Sequence, residues 1–243
     1  MRLDVWTIRS LDEGKTWQDA QMIQPGYCGA VRHIIQTSSG RIVATAQDMF
    51  RNPGRHVTRT YSSDDDGKTW RGSNIIDLGG HGHHDGAIEA TVVELRDHRI
   101  WMLIRTNLDR FWEAYSDDQG RYWRVIQPSN IDTPSSAPGY MARLASGRLV
   151  LAWNRLYPEG KDTIQRRAGA ASETLASWQR AELSIAFSED DGKTWTKPVV
   201  IARQPKVSLA YPWILERRSG ELWITTMQGS LRVNLREADF VGQ

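Results

Sequence analysis

Carboxylates and imidazoles are the side chains from which proteins most often make acids, bases and metal ligands, and both types recur in this sequence in ordered settings. Aspartate returns in four related octapeptides: Ser10-Leu-Asp12-Glu-Gly14-Lys-Thr16-Trp17, Ser63-Asp-Asp65-Asp-Gly67-Lys-Thr69-Trp70, Ser116-Asp-Asp118-Gln-Gly120-Arg-Tyr122-Trp123 and Ser188-Glu-Asp190-Asp-Gly192-Lys-Thr194-Trp195. Histidine clusters once, in Gly79-Gly-His81-Gly-His83-His84-Asp85-Gly86. Such a cluster could ligate a metal, but its spacing matches no zinc template, and glycines on both sides mark a loop; no metal site is expected.

The four aspartates read as turn residues. Strand-like residues precede each copy (Leu3 to Ile8, Val57 to Tyr61, Phe111 to Tyr115, Leu183 to Phe187), so Asp and Gly fall where a hairpin must reverse. The Asp carboxylate can accept backbone N–H groups of the turn, Gly supplies a positive φ, and Trp is expected to be buried between neighbouring sheets. A second hairpin signal alternates with the first: Ser39-Gly40-Arg41, Asp97-His98-Arg99, Ser146-Gly147-Arg148 and Ser219-Gly220-Glu221, each between apolar runs. Two hairpins per unit make a four-stranded blade, and radial repetition of blades is a β-propeller. The expected division is an outer half-blade over 1–24, whole blades over 25–77, 78–128 and 129–203, and the start of another over 204–243. The wider gap before Ser188 implies an insertion over Leu156 to Ser177, expected as a loop with a short helix over Ala168 to Trp178.

Bulk properties agree with one soluble all-β domain spanning 1–243. The 243 residues are 40% hydrophobic and 25% charged, enough apolar material for a sizeable core. Lys and Arg number 31 against 29 Asp and Glu, scattered without basic runs, so no nucleic-acid partner is expected. The single cysteine, Cys28, cannot form an internal disulfide. No run approaches the ~20 apolar residues of a membrane span, and the N-terminal residues lack the apolar core of a signal peptide. The compartment stays open, since secretion or export to a periplasm would need a leader upstream of Met1.

The octapeptide is the Asp box, and the chain resembles bacterial sialidases over nearly its whole length. Ala87-Ile-Glu89-Ala-Thr-Val-Val-Glu-Leu followed by Leu103-Ile-Arg105-Thr is similar to the segment bearing that family's glutamate and, one strand later, an arginine. Gln179-Arg180-Ala-Glu-Leu-Ser-Ile-Ala-Phe-Ser188 resembles the segment of another substrate-binding arginine, and Leu209-Ala-Tyr211-Pro-Trp-Ile-Leu the strand presenting the tyrosine nucleophile. The order matches the fourth, fourth, fifth and sixth blades of a six-bladed propeller. By this register the chain holds four to five blades, and the first blade, with a further arginine and an aspartate acid/base, lies outside it. Arg32, in Ala30-Val-Arg32-His-Ile-Ile-Gln-Thr, superficially resembles that first-blade arginine, but the stretch ahead of the next box where the aspartate should lie reads Arg55-His56-Val-Thr-Arg59.

The resemblance implies a sialidase-like, retaining glycoside hydrolase that needs no cofactor and acts on a terminal sialic acid or related acidic sugar of a glycan. Sialic acid carries its carboxylate on the anomeric carbon, so a neutral phenol approaches where a carboxylate would be repelled. Tyr211 would attack while Glu89 takes its proton. Arg105 and Arg180 would hold the substrate carboxylate through planar guanidinium forks. Arg32 would be a further carboxylate ligand, and His84 and Asp85 would contact sugar hydroxyls at the pocket mouth. Each residue also has an ordinary reading: a paired strand arginine, a strand-edge glutamate, a packing tyrosine. The corresponding alternatives are a non-catalytic carbohydrate-binding or scaffold propeller, and an interaction propeller with no sugar site.

Overall fold

The computed structural model describes residues 2–52, 54–82, 84–132, 134–159, 162, 165–168 and 174–242. These residues are all-β; the only helical turn among them is the 3-10 segment Glu237–Asp239. Strands Val5–Arg9 and Gln18–Gln24 form an antiparallel pair, the outer half of a blade. A four-stranded sheet follows, with Ile34–Gln36, Ile42–Arg51, Gly54–Ser63 and Arg71–Gly72 in sequential order. The next sheet runs Ile88–Glu94, Ile100–Arg105, Trp112–Ser116, Arg124–Pro128, and the next Tyr140–Arg143, Leu149–Trp153, Glu182–Ser188, Val199–Arg203. Pro212–Arg218, Glu221–Thr226 and Arg232–Arg236 make a three-stranded sheet. This is the β-propeller of the sialidase type, with blade boundaries where the two hairpin signals place them.

The core lies between blades. One cluster joins Val43 and Ile76 to Val92, Met102 and Trp123; a second joins Val93, Trp101 and Phe111 to Met141, Leu151 and Trp153; a third joins Val150, Ile185 and Phe187 to Ile214, Leu222 and Ile224. Each sheet buries both faces once neighbours flank it, which is why Ile100–Arg105, Leu149–Trp153 and Glu182–Ser188 are buried at every position.

The boxes do the local work expected of them. In the second, the Ser63 hydroxyl donates to Asp65 Oδ1 at 2.8 Å and accepts the Gly67 N–H at 2.9 Å, while Asp65 accepts the Thr69 N–H at 2.8 Å and the Thr69 hydroxyl at 2.6 Å. The first and fourth copies repeat this set. The residue before each glycine shares its left-handed backbone: Asp66 has φ 58° and Gly67 φ 81°. The hydroxyl of Thr69, then its N–H, hold the Asp65 carboxyl down at about 2, and Asp190 is held there in the same way by Thr194. At Asp118, burial pulls upward and the Tyr122 N–H downward; Tyr122 has no hydroxyl at the threonine position, and Asp118 is held below its ordinary value.

Because these folded carboxyls titrate below the ordinary 3.8, they stabilise the fold fully above that pH, and the contribution is lost as pH falls towards about 2. Thr69→Val and Thr194→Val are expected to raise the titration midpoints of Asp65 and Asp190 and to move acid unfolding to higher pH. Carboxyl 13C titration would read both, and unchanged midpoints would show that the hydroxyls are not the cause.

Two sequence expectations need correction. Of the four box tryptophans, only Trp123 is buried, at 2% exposure; Trp70 and Trp195 are half-buried and Trp17 is 59% exposed. The rings of Trp123 and Trp195 lean on the preceding sheet: Trp123 Nε1 donates to Thr60 Oγ1 at 2.9 Å, and the Trp195 ring lies 6.3 Å from that of Trp101. Trp70 has only the two-stranded pair before it, and Trp17 has no preceding sheet in this chain. The helix expected over Ala168 to Trp178 is a short hairpin instead, Leu175–Ser177 pairing with Arg166–Ala168, with residues 169–173 outside the described residues. Tertiary contacts override the Ala-rich composition: Asp109 binds the Ser177 hydroxyl at 2.7 Å and pairs with Arg166.

Candidate active site

In an antiparallel blade, the start of the first strand, the end of the second and the start of the third lie at one end. Glu89 sits at the start of an innermost strand, Arg32 two residues before one and Tyr211 immediately before one, Arg105 at the end of a second strand, and Arg180 two residues before a third. All five therefore share one end of the array, and the box turns, between third and fourth strands, lie at the other.

The side chains converge. Arg105 Nη1 donates to Glu89 Oε2 at 2.5 Å and to the Tyr211 hydroxyl oxygen at 3.3 Å, so one nitrogen bridges the two residues. Its Nη2 and Nε donate to Ser136 Oγ at 3.0 and 3.3 Å, and Ser136 in turn donates to Asn107 Oδ1 at 2.6 Å. The Arg180 guanidinium stacks 3.6 Å over the Trp178 ring and lies 5.7 Å from the Tyr211 ring centre, donating to Ser136 O at 2.5 Å and Gln228 Oε1 at 3.1 Å. Arg32 lies 5.9 Å from the Tyr211 ring centre, among Tyr140 and Trp213, and donates to Pro212 O.

Three guanidinium groups, each 5% exposed or less, thus face one carboxylate among the described residues, Glu89. Burial and then the Arg105 charge push Arg180 down to about 10, which leaves it a cation at neutral pH, and burial lowers Arg32. Arg105 is raised: burial works against its charge but is outweighed by Glu89 and Tyr211. Among the described residues, the buried Nε atoms of Arg32 and Arg180 have no hydrogen-bond partner. Beside Arg32, His33 is pushed down to about 3 by burial and then by the arginine, so its neutral Nδ1 accepts the Val92 N–H at 3.1 Å.

Backbone strain marks the same place. Glu89 has φ 45° and Tyr211 φ 63°, left-handed conformations that cost a non-glycine residue about 1–3 kcal/mol. Glu89 lies in a bulge where pairing with the next strand slips between Ile88 and Thr91, and the bulge turns its side chain to Arg105. At Tyr211 the Met227 N–H donates to the strained carbonyl at 3.1 Å.

The histidine loop stands differently from its sequence reading. Asp85 is buried, and its carboxylate is engaged within the loop and by the inserted hairpin: Oδ2 accepts the His81 N–H and the Thr174 hydroxyl, both at 2.8 Å, and Oδ1 the Gly86 N–H at 2.9 Å. Among the described residues its hydrogen bonds all go to this loop and to Thr174, which makes it a clamp in the loop. His84 is exposed with φ 68°, its ring 5.8 Å from that of His56. No group of three metal-ligating side chains occurs among the described residues. Sequence reasoning missed Ser136, Trp178, Gln228 and Gln47; Trp178 carried a signal, standing two residues before Arg180.

Fold and site together define a sialidase-like propeller. Residues 2–224 match the BNR repeat-like domain, and the chain belongs to that family. Comparison with curated protein sequences gave no significant match. Among solved structures, the chain is similar to NanB sialidase from Streptococcus pneumoniae (K499G mutant), with TM-score 0.68 and 17% identity over 98% of this chain and 36% of that one. It is also similar to the intramolecular trans-sialidase from Ruminococcus gnavus in complex with oseltamivir carboxylate, at TM-score 0.64 and 16% identity over 99% and 52% of the two chains. A protein of unknown function from Dyadobacter fermentans gives TM-score 0.66 and 16% identity over 94% and 62%. The chain thus spans between about a third and two thirds of the length of these neighbours. No helix among the described residues is long and apolar enough to cross a membrane.

Proposed function

We propose that this chain carries the substrate-binding and nucleophilic half of a retaining sialidase-type glycoside hydrolase acting on a terminal sialic acid or related acidic sugar. The observation that carries this reading is the charge imbalance at one tyrosine: three buried guanidinium groups around Tyr211 share a single carboxylate among the described residues. Like charges repel in a low-dielectric site, so such a cluster favours an anionic ligand, and the two buried N–H groups of Arg32 and Arg180 add donors for it. A carboxylate on the anomeric carbon would bring that carbon to the phenol.

Arg105 donates to the Tyr211 oxygen, which leaves the phenol's own proton free for Glu89, held on the same nitrogen. The phenolic oxygen would bond to the anomeric carbon as the glycosidic C–O bond breaks, Glu89 taking the phenolic proton. The departing oxygen needs a proton from a second acid. Water would then hydrolyse the tyrosyl intermediate, and two inversions give retention.

A binding propeller is the second reading, and a specific observation favours it. Asp85, the aspartate of the histidine loop, is spent on that loop and the inserted segment and is not presented as that second acid. General-acid catalysis is worth ~10² to 10⁴ in rate. This chain alone is therefore expected to turn over a fluorogenic sialoside slowly, and Tyr211→Phe to remove what turnover there is. Saturable binding of N-acetylneuraminate that weakens in Arg180→Ala, with no turnover by the chain or by a version extended upstream, would establish the binding reading; neither binding nor turnover would refute both.

A further inference from the structure

Glu89 is held in its strained conformation from outside its own blade. Gln47, 4% exposed on the strand Ile42–Arg51, reaches across to the next sheet, and its Oε1 accepts the Glu89 N–H at 3.2 Å. Because a backbone N–H can only donate, that contact orients the amide. Nε2 then faces His56 Nδ1 at 2.9 Å and donates to it. The Gln47 backbone is anchored as well, its N–H on Ala30 O at 3.0 Å and its carbonyl receiving the Gly29 N–H at 3.1 Å. Gly29 leaves room for the amide: a Cβ there would lie 2.5 Å from Gln47 Nε2. Its φ is not in the left-handed region, so the space, and not the backbone, is what requires glycine.

We infer that Gln47 is a positioning residue for Glu89, holding the bulge so that the carboxylate stays on Arg105 and beside Tyr211. This rests on the assignment of Glu89 as the base of the proposed reaction. Without the Gln47 oxygen, the Glu89 N–H loses its acceptor while φ remains strained, and return of φ to negative values relieves the strain. That rotation swings the Glu89 side chain away from Arg105. A displacement near 1 Å in a proton-transfer pair can cost ~10²-fold in rate while leaving substrate binding nearly intact.

The test uses the whole chain with Gln47→Leu, which removes the acceptor, and Gly29→Ala, which displaces the amide without altering Gln47. Crystal structures of both variants are expected to show Glu89 out of the left-handed region and its contact with Arg105 opened. On a fluorogenic sialoside, kcat should fall ~10- to 100-fold with KM within about threefold, and the double variant should lose no more than either single one. Glu89 unchanged in φ and still on Arg105 in the variants would overturn the inference, as would a moved Glu89 with undiminished kcat. If the parent chain shows no turnover, the hydrolase reading fails by itself and the backbone at Glu89 still decides the role of Gln47. Should Gln47→Leu not fold, Gly29→Ala carries the test.

Discussion

Trp123→Ala is expected to lower the unfolding free energy by about 3 to 5 kcal/mol, whereas Trp17→Ala should cost less than about 1 kcal/mol, although both residues close the same octapeptide. The difference follows from what covers each ring. Trp123 is 2% exposed in a cluster with Val43, Ile76, Val92 and Met102, and its Nε1 reaches Thr60 Oγ1 at 2.9 Å. Its backbone is clamped by Asn74, which accepts the N–H at 2.7 Å and donates to the carbonyl at 3.2 Å. Truncation would leave a cavity between two sheets and take from the Thr60 hydroxyl the donor it accepts, leaving its own donation to Gly120 O at 2.9 Å. Trp17, 59% exposed, has little to lose. Urea denaturation of both variants would decide the matter; equal losses would mean that the turn itself, and not the sheet beneath it, sets the ring's contribution.

The second large effect is expected at Glu89. Glu89→Ala should cost about 3 to 5 kcal/mol, the range found when one partner of a buried ion pair is removed. The side chains of Arg105 and Glu89 are 4% and 12% exposed, and Arg105 would be left facing Arg32 and Arg180 with no carboxylate among them. Glu89→Gln, which keeps an acceptor for Nη1, should cost less, and Arg105→Met should be partly rescued when combined with Glu89→Ala. A Glu89→Ala variant as stable as the parent would show that the pair is water-exposed in solution and that the cluster does not confine its charge.

On the proposed reading, three buried guanidinium groups facing Glu89 favour an anionic ligand. N-acetylneuraminate should therefore raise the melting temperature of the parent chain, by the mass action of a ligand that binds only the folded state.

Much of the site's location was legible before any coordinates. The octapeptides and the Ser-Gly-Arg hairpins punctuate the strands, and antiparallel order then sends Glu89, Arg105, Arg180 and Tyr211 to one end. Arg32 was less legible. Its local setting pointed to a blade that the register places outside the chain, while its guanidinium reaches Pro212, 180 residues away, through contacts between non-consecutive sheets. Ser136 and Gln47 had no signal at all, being ordinary polar residues whose partners Arg105 and Glu89 lie 31 and 42 positions away.

The division between the two levels follows the range of the interactions. Within an Asp box every defining hydrogen bond spans four residues or fewer, so serine, aspartate, glycine and threonine at fixed offsets determined the turns, the strand rhythm and the propeller by themselves. Which tryptophan is buried, which arginines meet, and how far Glu89 and Tyr211 are strained depend on the sheet packed alongside. Only the tertiary structure decided those, because burial and charge pairing are properties of neighbours that the chain brings together from distant positions.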